Sequence, residues 1–288
     1  MVSDHSYRAG PLRARLGYSR PPARGTIVGA ITRVGRRARE GIEGVGRLGR
    51  FAVDALRALP DVRTWGPIAT LQARRLGVDS LPIGVLISVF TGVVLALLAS
   101  YSFTGAVPLY FVGTLVQKTI TLELAPVLVG LALAGRVGAN IAAELGTMRV
   151  TEQIDALETM AYDPHAYLVV PRVLAGTVMF PVVVGVAMLG GVGAGWITSV
   201  WLLDLSSAEF VRGLRLFFSA FDVTYGLVKA ASFGFAVTLI GCMSGMQTTA
   251  GGAEGVGRGA TRAVVYGAVM ILVLDAFWAM TWLLGRTK

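Results

Sequence analysis

Charged residues are scarce in this sequence: Asp, Glu, Lys and Arg make up 15% of its 288 residues, whereas soluble proteins average about a quarter. Cysteine is almost absent, and the single Cys242 lies in an apolar stretch, which excludes an intramolecular disulfide and favours a packing role. The two histidines, His5 and His165, have no second ligand type near them, so no metal site is predicted. With 54% hydrophobic residues, the composition indicates an integral membrane protein.

Signatures of nucleotide binding are missing as well. No GxxxxGK[ST] sequence occurs. The glycine-rich run 251–259 follows an apolar segment, whereas a phosphate-binding loop follows a strand. We therefore expect no cofactor on this chain and no use of ATP by the chain itself. The run is better interpreted as a cytoplasmic elbow before the last apolar segment, formed by Gly251, Gly252, Gly255 and Gly257.

Positive charge is confined to the start of the chain. Residues 1–80 hold fifteen arginines, no lysine and six acidic residues, whereas basic and acidic residues balance in the remainder, so the net charge of +9 lies before residue 81. By the positive-inside rule, this excess places the N-terminus in the cytoplasm. A nucleic-acid-binding arm is the alternative, but the arginines alternate with Gly and Pro and lack stacking aromatics, so we expect no nucleic-acid partner.

The segment before the first apolar run divides into three parts. Residues 1–40 have few large apolar side chains, which predicts disorder. From Gly41 to Pro60, apolar residues recur at helical spacing opposite arginines, which predicts a helix at the membrane interface. A second, partly amphipathic piece runs from Trp65 to Leu76. No apolar core precedes residue 81, so no cleavable signal peptide is expected.

Five apolar segments are long enough to cross a bilayer, whose core of roughly 30 Å needs about 20 helical residues. The second contains Lys118 and Glu123, so a re-entrant segment is the alternative to a full span. We favour the span because the charge-poor loop before it and the polar segment after it are expected on opposite faces of the membrane. The fold is thus expected to be all-α, with spans at 81–103, 110–145, 168–203, 223–247 and 263–284, and a short amphipathic helix within 204–222.

The spans carry two further patterns. Gly191 with Gly195, and Gly241 with Gly245, form GxxxG pairs that allow helices to approach closely. Five crossings place the two termini on opposite faces, with the C-terminus in the periplasm. The proposed cytoplasmic loops hold four arginines and the outer loops two, so the loop bias supports this orientation weakly.

A short polar segment joins the second and third spans. Residues 151–161 begin with a favourable N-cap, Thr151, and place Ile154, Leu157 and Ala161 on one side of a helix. The opposite side carries acids. The pattern predicts a surface helix at a cytoplasmic hairpin tip, with a solvated loop as the alternative.

Charged residues at membrane depth need partners, since one costs at least ~2.5 kcal/mol on insertion scales. Glu123 and Lys229 have opposite signs and lie near the outer ends of their spans, so they could meet in a binding cavity or in a structural ion pair. Arg136 and Glu144 bracket small residues and are interpreted as an interhelical pair. Asp275 is expected to bond a neighbouring span.

Two long blocks resemble a known family. They are ELAPVLVGLALAGRVGANIAAELGTMRVTEQIDALETMAYDP, which begins at Glu123, and GGAEGVGRGATRAVV, which begins at Gly251. Both are similar to the membrane subunits of the MlaE/YrbE family, the lipid-transporting ABC systems that work with MCE-domain proteins. The resemblance covers roughly residues 56–284. It implies a permease of a phospholipid transporter in the bacterial inner membrane, driven by a separate ATPase that carries ATP and Mg.

The resemblance also implies roles for individual residues. Glu123 and Lys229 match positions that line the family's lipid cavity, and Leu122 replaces a basic residue there, so headgroup coordination is expected to differ. The first-span wall of the cavity would be Leu95, Ser102 and Phe103. The polar helix would couple to the ATPase through Glu152, Gln153, Asp155, Leu157 and Glu158. Implied partners are the ATPase, an MCE-protein ring, and a second permease copy or a paralogue.

Two other functional classes stay open. A secondary carrier could use Glu123 and Lys229 as a protonation couple and would need no ATPase. A passive membrane scaffold would need no cavity and would tolerate neutralisation of Glu123.

Overall fold

The computed structural model describes residues 27–103, 108–248 and 251–286, and all regular structure in these residues is helical. The chain forms two units, divided after Arg50. The helices are α1 (Ile27–Ala58), α2 (Val62–Leu76), α3 (Leu81–Ser102), α4 (Phe111–Val150), α5 (Gln153–Thr159), α6 (His165–Leu202), α7 (Ser207–Leu216), α8 (Ala220–Met246) and α9 (Gly252–Arg286).

Helix α1 begins earlier than predicted. Residues 27–40, expected to be disordered, are helical, because Ile27, Ile31 and Val34 continue the apolar spacing of the following segment towards the N-terminus. In the first unit, Arg39 and Glu43 form an exposed ion pair one turn apart. The rest of the predicted disordered tail, residues 1–26, lies outside the described residues.

In the second unit, the end of α1 packs near the start of α6. Ala58 joins Ala166 and Val170 in a small apolar cluster, with Trp65 of α2 against it. Leu56 belongs to the stripe predicted to face the membrane interface, and it stays 55% exposed. A membrane location for this helix therefore stays a prediction.

Five helices are long and apolar enough to cross a membrane: α3, α4, α6, α8 and α9. This confirms the all-α prediction with five spans. Helix α4 continues over 40 residues, about 60 Å at 1.5 Å per residue, so the second segment is a full span and not a re-entrant one. Helix α8 is central: 67% of its most apolar 18-residue stretch is buried, compared with 17% of the corresponding stretch of α9.

Glycines set how closely these helices approach. A Cβ atom on Gly92 of α3 would overlap the carbonyl oxygen of Gly191 on α6, so only hydrogen fits at that crossing. Both predicted GxxxG pairs lie at such contacts. A Cβ on Gly245 of α8 would come within 2.7 Å of Leu145 Cβ on α4.

Two predicted loop features differ from the structure. Thr151 does not cap α5, because its hydroxyl donates instead to the carbonyl of Thr147 at 2.9 Å, and Glu152 occupies the cap position with a φ of 60°. The glycine elbow is also shorter than predicted. Helix α9 already begins at Gly252, whose φ is +56°, so Gly255 and Gly257 are helical, and only Gly251 and Gly252 lie at the turn. Glycine is disfavoured within a helix by only about 1 kcal/mol per residue relative to alanine, which does not prevent the helix from including these two positions.

Candidate functional site

Three spans meet at one fully buried lysine. Lys229 of α8 has no exposed surface, and its Nζ donates a hydrogen bond of 2.6 Å to Oε2 of Glu123 on α4. The same Nζ forms an ion pair with Asp275 of α9. Glu123 and Lys229 therefore do meet, and the neighbour of Asp275, which the sequence left unspecified, is Lys229. We call these three residues the Lys229 cluster.

The local structure of α4 explains how this lysine is satisfied. Residues 120–129 form wide, π-helical turns around Pro126. Pro126 has no amide N–H and therefore donates no backbone hydrogen bond within these turns. The carbonyl of Leu122 accepts a hydrogen bond from Lys229 Nζ at 3.3 Å. Wide turns of this kind are rare within helices and often occur at functional sites.

The cluster carries more negative than positive charge. With all three groups ionised, its net charge is −1. The Glu123 side chain is 44% exposed and that of Asp275 is 24% exposed, whereas Lys229 is enclosed. Asp275 is in direct ion-pair contact with Lys229 Nζ through its Oδ1. The accessible part of the cluster is therefore anionic.

Aromatic and hydroxyl groups support the cluster. The Tyr225 ring centroid lies 5.9 Å from Lys229 Nζ, within the range of a cation–π contact. Trp278 of α9 packs edge-on against Tyr225 and donates from Nε1 to the Ser232 hydroxyl at 3.0 Å. Ser232 in turn donates to the carbonyl of Lys229 at 2.6 Å. These contacts fix α8 against α9 at the level of the lysine.

The other predicted cavity residues are not all part of this cluster. Leu122 takes part through its carbonyl. On α3, Leu95 is half-buried, and Ser102 is exposed with its hydroxyl bonded to the Leu98 carbonyl of its own helix. Phe103 lines a shallow recess of about 370 Å³. We call this the Lys118 recess; its residues are Phe103, Phe111, Thr114, Leu115 and Lys118.

A second ion pair joins the same two helices. Lys118 of α4 pairs with Asp222 of α8, which is fully buried. Asp222 was not among the predicted site residues, although a signal was present. Asp222 lies two helical turns before Lys229, and the signs on α8 are complementary to those of Lys118 and Glu123 on α4.

The predicted pair of Arg136 and Glu144 does not form in the described residues. Both belong to α4, and Glu144 instead contacts Arg172 of α6 at 3.0 Å and Arg75 of α2 at 3.9 Å. Arg172 is 3% exposed and also donates to the Leu168 carbonyl at 2.7 Å. Glu144, Arg172 and Arg75, which we call the Arg172 cluster, join α2, α4 and α6 near the hairpin tip. Arg172 was not predicted as a partner of Glu144, although it lies near the start of the third predicted span.

Helix α5 holds the residues predicted to couple to an ATPase. Ile154 is buried at 1% exposure, and Leu157 is half-buried, so one side of α5 packs on the bundle. Glu152, Gln153 and the remaining acids, Asp155 and Glu158, are exposed. Asp155 accepts a hydrogen bond from Arg149 of α4 at 2.6 Å. Nothing in this geometry identifies the partner, so the coupling role stays a prediction.

Residues suited to metal binding do not assemble in the described part of the chain. No group of three or more His, Cys, Asp or Glu side chains has a geometry that could hold a metal ion there. Cys242 is free and buried in α8, which agrees with a packing role.

Comparison with known proteins gives a consistent result. Residues 69–281 match the family model described as Permease MlaE. A probable ABC transporter permease protein of Rickettsia conorii is 40% identical over 240 residues, covering 83% of this chain and 92% of the relative. One from Synechocystis is 38% identical, covering 74% and 80%. The intermembrane phospholipid transport system permease protein MlaE of Haemophilus influenzae is 33% identical, covering 86% and 95%.

Proposed function

Since the chain belongs to the MlaE permease family, the membrane subunits of ABC transporters, we propose that it moves phospholipid between the inner membrane and a periplasmic MCE-domain protein. Its similarity to the phospholipid permease of Haemophilus influenzae supports the substrate class. A separate ATPase supplies the energy and carries ATP and Mg. This chain makes and breaks no covalent bond.

The observation that carries the proposal is the position of α5. It is a short helix between two spans, anchored by Ile154 and presenting its acids outward. An exposed, charged surface on a packed helix is suited to bind a soluble subunit with a basic groove. Glu152, Asp155 and Glu158 supply the charge, and Gln153 and Leu157 complete the surface.

A movement of α5 has a direct route to the Lys229 cluster. Arg149 pairs with Asp155, which ties α5 to the end of α4. Helix α4 then continues without a break to the wide turns that contain Glu123. Rigid-body shifts of packed helices are a common way of transmitting such changes. Closure of the ATPase would thus displace α4 against α8 and open or collapse a lipid cavity beside the cluster.

The transporter needs a second permease, either another copy of this chain or a paralogue. The apolar faces of α3, α6 and α9 are exposed, with Phe90, Leu189 and Phe277 more than half accessible. In a membrane, such faces contact lipid or another span. The N-terminus lies in the cytoplasm, consistent with its arginines, and the C-terminus in the periplasm.

The test is co-purification of the permease with its genomically adjacent ABC ATPase. Replacing both Glu152 and Asp155 with lysine should abolish association, because it inverts the charge of the α5 surface. The matched control replaces Asp79 and Glu254, both exposed and on the proposed cytoplasmic side, with lysine. Membrane insertion should be unchanged in both variants, which an accessibility assay on a Thr159→Cys substitution in each of them would verify, since Thr159 is exposed.

Hydrolysis by the purified complex then tests the transport role. Phospholipid should stimulate ATP hydrolysis in the wild-type complex and in the control. If the α5 variant binds the ATPase normally, the docking assignment is wrong. If no ATPase associates with the wild type and a proton gradient drives lipid movement, the chain is a secondary carrier. A chain that associates with no ATPase and moves no lipid would be a scaffold.

A further inference from the structure

The Lys229 cluster is poorly suited to hold an anionic headgroup. Lys229 has no exposed surface and already contacts Glu123, Asp275 and the Leu122 carbonyl. The exposed atoms of the cluster belong to carboxylates, so an approaching phosphate would meet like charge. An anionic headgroup near α4 and α8 must therefore find its cation elsewhere.

Lys118 has the accessibility that Lys229 lacks. Its side chain is 24% exposed, while that of its counter-ion Asp222 is fully buried. An ammonium group has three N–H donors, and within the described residues Lys118 Nζ donates one hydrogen bond, to Asp222 Oδ2. Because the anion is enclosed and the cation reaches the surface, the pair presents its positive end outward.

The surroundings of Lys118 are apolar. Phe111, Leu115 and Lys118 follow one another at i, i+4 and i+7 along one face of α4, and Phe103 lines the same recess from the end of α3. The volume of about 370 Å³ lies at the lower end of the roughly 300–1,000 Å³ range of ligand sites. An apolar wall that ends in a cation matches an amphiphile with an apolar chain and an anionic head.

We infer that the Lys118 recess binds an anionic phospholipid, with its phosphodiester on Lys118 and the start of an acyl chain on Phe103, Phe111 and Leu115. The inference rests on the proposed function and deepens it, because it names the side chain that receives the headgroup of the transported lipid. Lysine binds phosphate as a point charge, so the recess recognises the phosphate and tolerates variation in the rest of the headgroup.

Photo-crosslinking in nanodiscs that contain radiolabelled phosphatidylglycerol tests this. p-Benzoylphenylalanine replaces Phe103 in one protein and Phe277 in another. Phe277 is 57% exposed on α9 and serves as the apolar reference position outside the recess. We expect a higher adduct yield at Phe103 than at Phe277. Equal yields at the two positions would mean that the recess holds only bulk lipid and would overturn the inference.

Two variants separate binding from folding. Lys118→Gln combined with Asp222→Asn keeps a neutral hydrogen-bonded pair. This double variant should bind phosphatidylglycerol about tenfold more weakly, equivalent to 1.4 kcal/mol. Its adduct yield at Phe103 should fall to the yield at Phe277. Asp222→Asn alone leaves Lys118 charged without its counter-ion, so the adduct should increase. A purely structural role for the pair would lower the yield in both variants, and that result would contradict the inference.

The outcome is independent of the test of the proposed function. If the ATPase complex forms and responds to lipid but the Phe103 adduct is insensitive to Lys118, the recess assignment fails and the transporter assignment stands. If radiolabelled diacylglycerol, which lacks a phosphate, shows the same dependence on Lys118 as phosphatidylglycerol, the phosphate contact is refuted.

Discussion

Replacing Lys229 with methionine, which keeps the side-chain length but removes its charge, should strongly destabilise the protein. Glu123 and Asp275 would then lack their shared cation. Removing one partner of a buried ion pair costs about 3–5 kcal/mol. The Glu123 side chain is 44% exposed and that of Asp275 24% exposed, so neither carboxylate is fully enclosed by the protein. The expected loss is therefore near the lower end, about 3 kcal/mol.

The two acids should behave differently from the lysine. Glu123→Gln leaves Lys229 paired with Asp275 and bonded to the Leu122 carbonyl, and the net charge of the cluster changes from −1 to zero. The expected loss is within about 1 kcal/mol, typical of a partly exposed pair. Asp275→Asn should act similarly. Combining these two substitutions leaves the enclosed lysine unpaired, so the loss should again reach about 3 kcal/mol and exceed the sum of the two.

Unfolding of the purified protein in mixed micelles, followed by circular dichroism at increasing dodecyl sulfate concentration, measures these differences in free energy. The triple variant, with Lys229→Met added to both acid substitutions, should recover most of the stability, because no unpaired charge remains. One cation does not balance two carboxylates if Glu123→Gln alone destabilises the protein as much as Lys229→Met does. The same conclusion follows if the loss of stability in the double acid variant equals the sum of the two single losses.

Helix packing and the Arg172 cluster give two further predictions. Gly92→Ala should lower the free energy of unfolding by about 1–3 kcal/mol, because its Cβ would overlap the Gly191 carbonyl. Gly193→Ala should be neutral in the same unfolding assay, because a Cβ at that position would have no atom within 4 Å. Arg172→Gln should cost about 1.5–3 kcal/mol, the value of a hydrogen bond to a charged group. Arg136→Gln should cost less, since Arg136 forms no ion pair in the described residues; equal losses would contradict the assignment of Glu144 to Arg172.

Much of the transmembrane architecture could be predicted from the sequence. A bilayer requires about 20 apolar helical residues per crossing, and uncharged runs such as 81–103 meet this requirement without any tertiary information. The least regular case, the second span with Lys118 and Glu123, was also predicted as a full crossing. The errors concern the ends of helices, where glycine content suggested a loop but Gly255 and Gly257 are helical.

The candidate site was predicted only in part. Opposite signs and similar depth indicated that Glu123 and Lys229 could meet, because a charge in a membrane needs a partner, but they did not establish a direct contact. The same rule left the partner of Asp275 open and wrongly assigned Glu144 to Arg136, because several cations lie at suitable depths. Asp222 was overlooked, although it lies two turns before Lys229 on the same helix.

The sequence by itself determined that this chain crosses a membrane five times and where its charges lie along each span. Both follow from hydrophobicity and helical periodicity, which are local properties. Only the tertiary structure decided which charges share a partner, because that depends on the rotation and register of packed helices. The two ion pairs between α4 and α8 place Lys229 out of reach between carboxylates and leave Lys118 accessible beside an apolar wall.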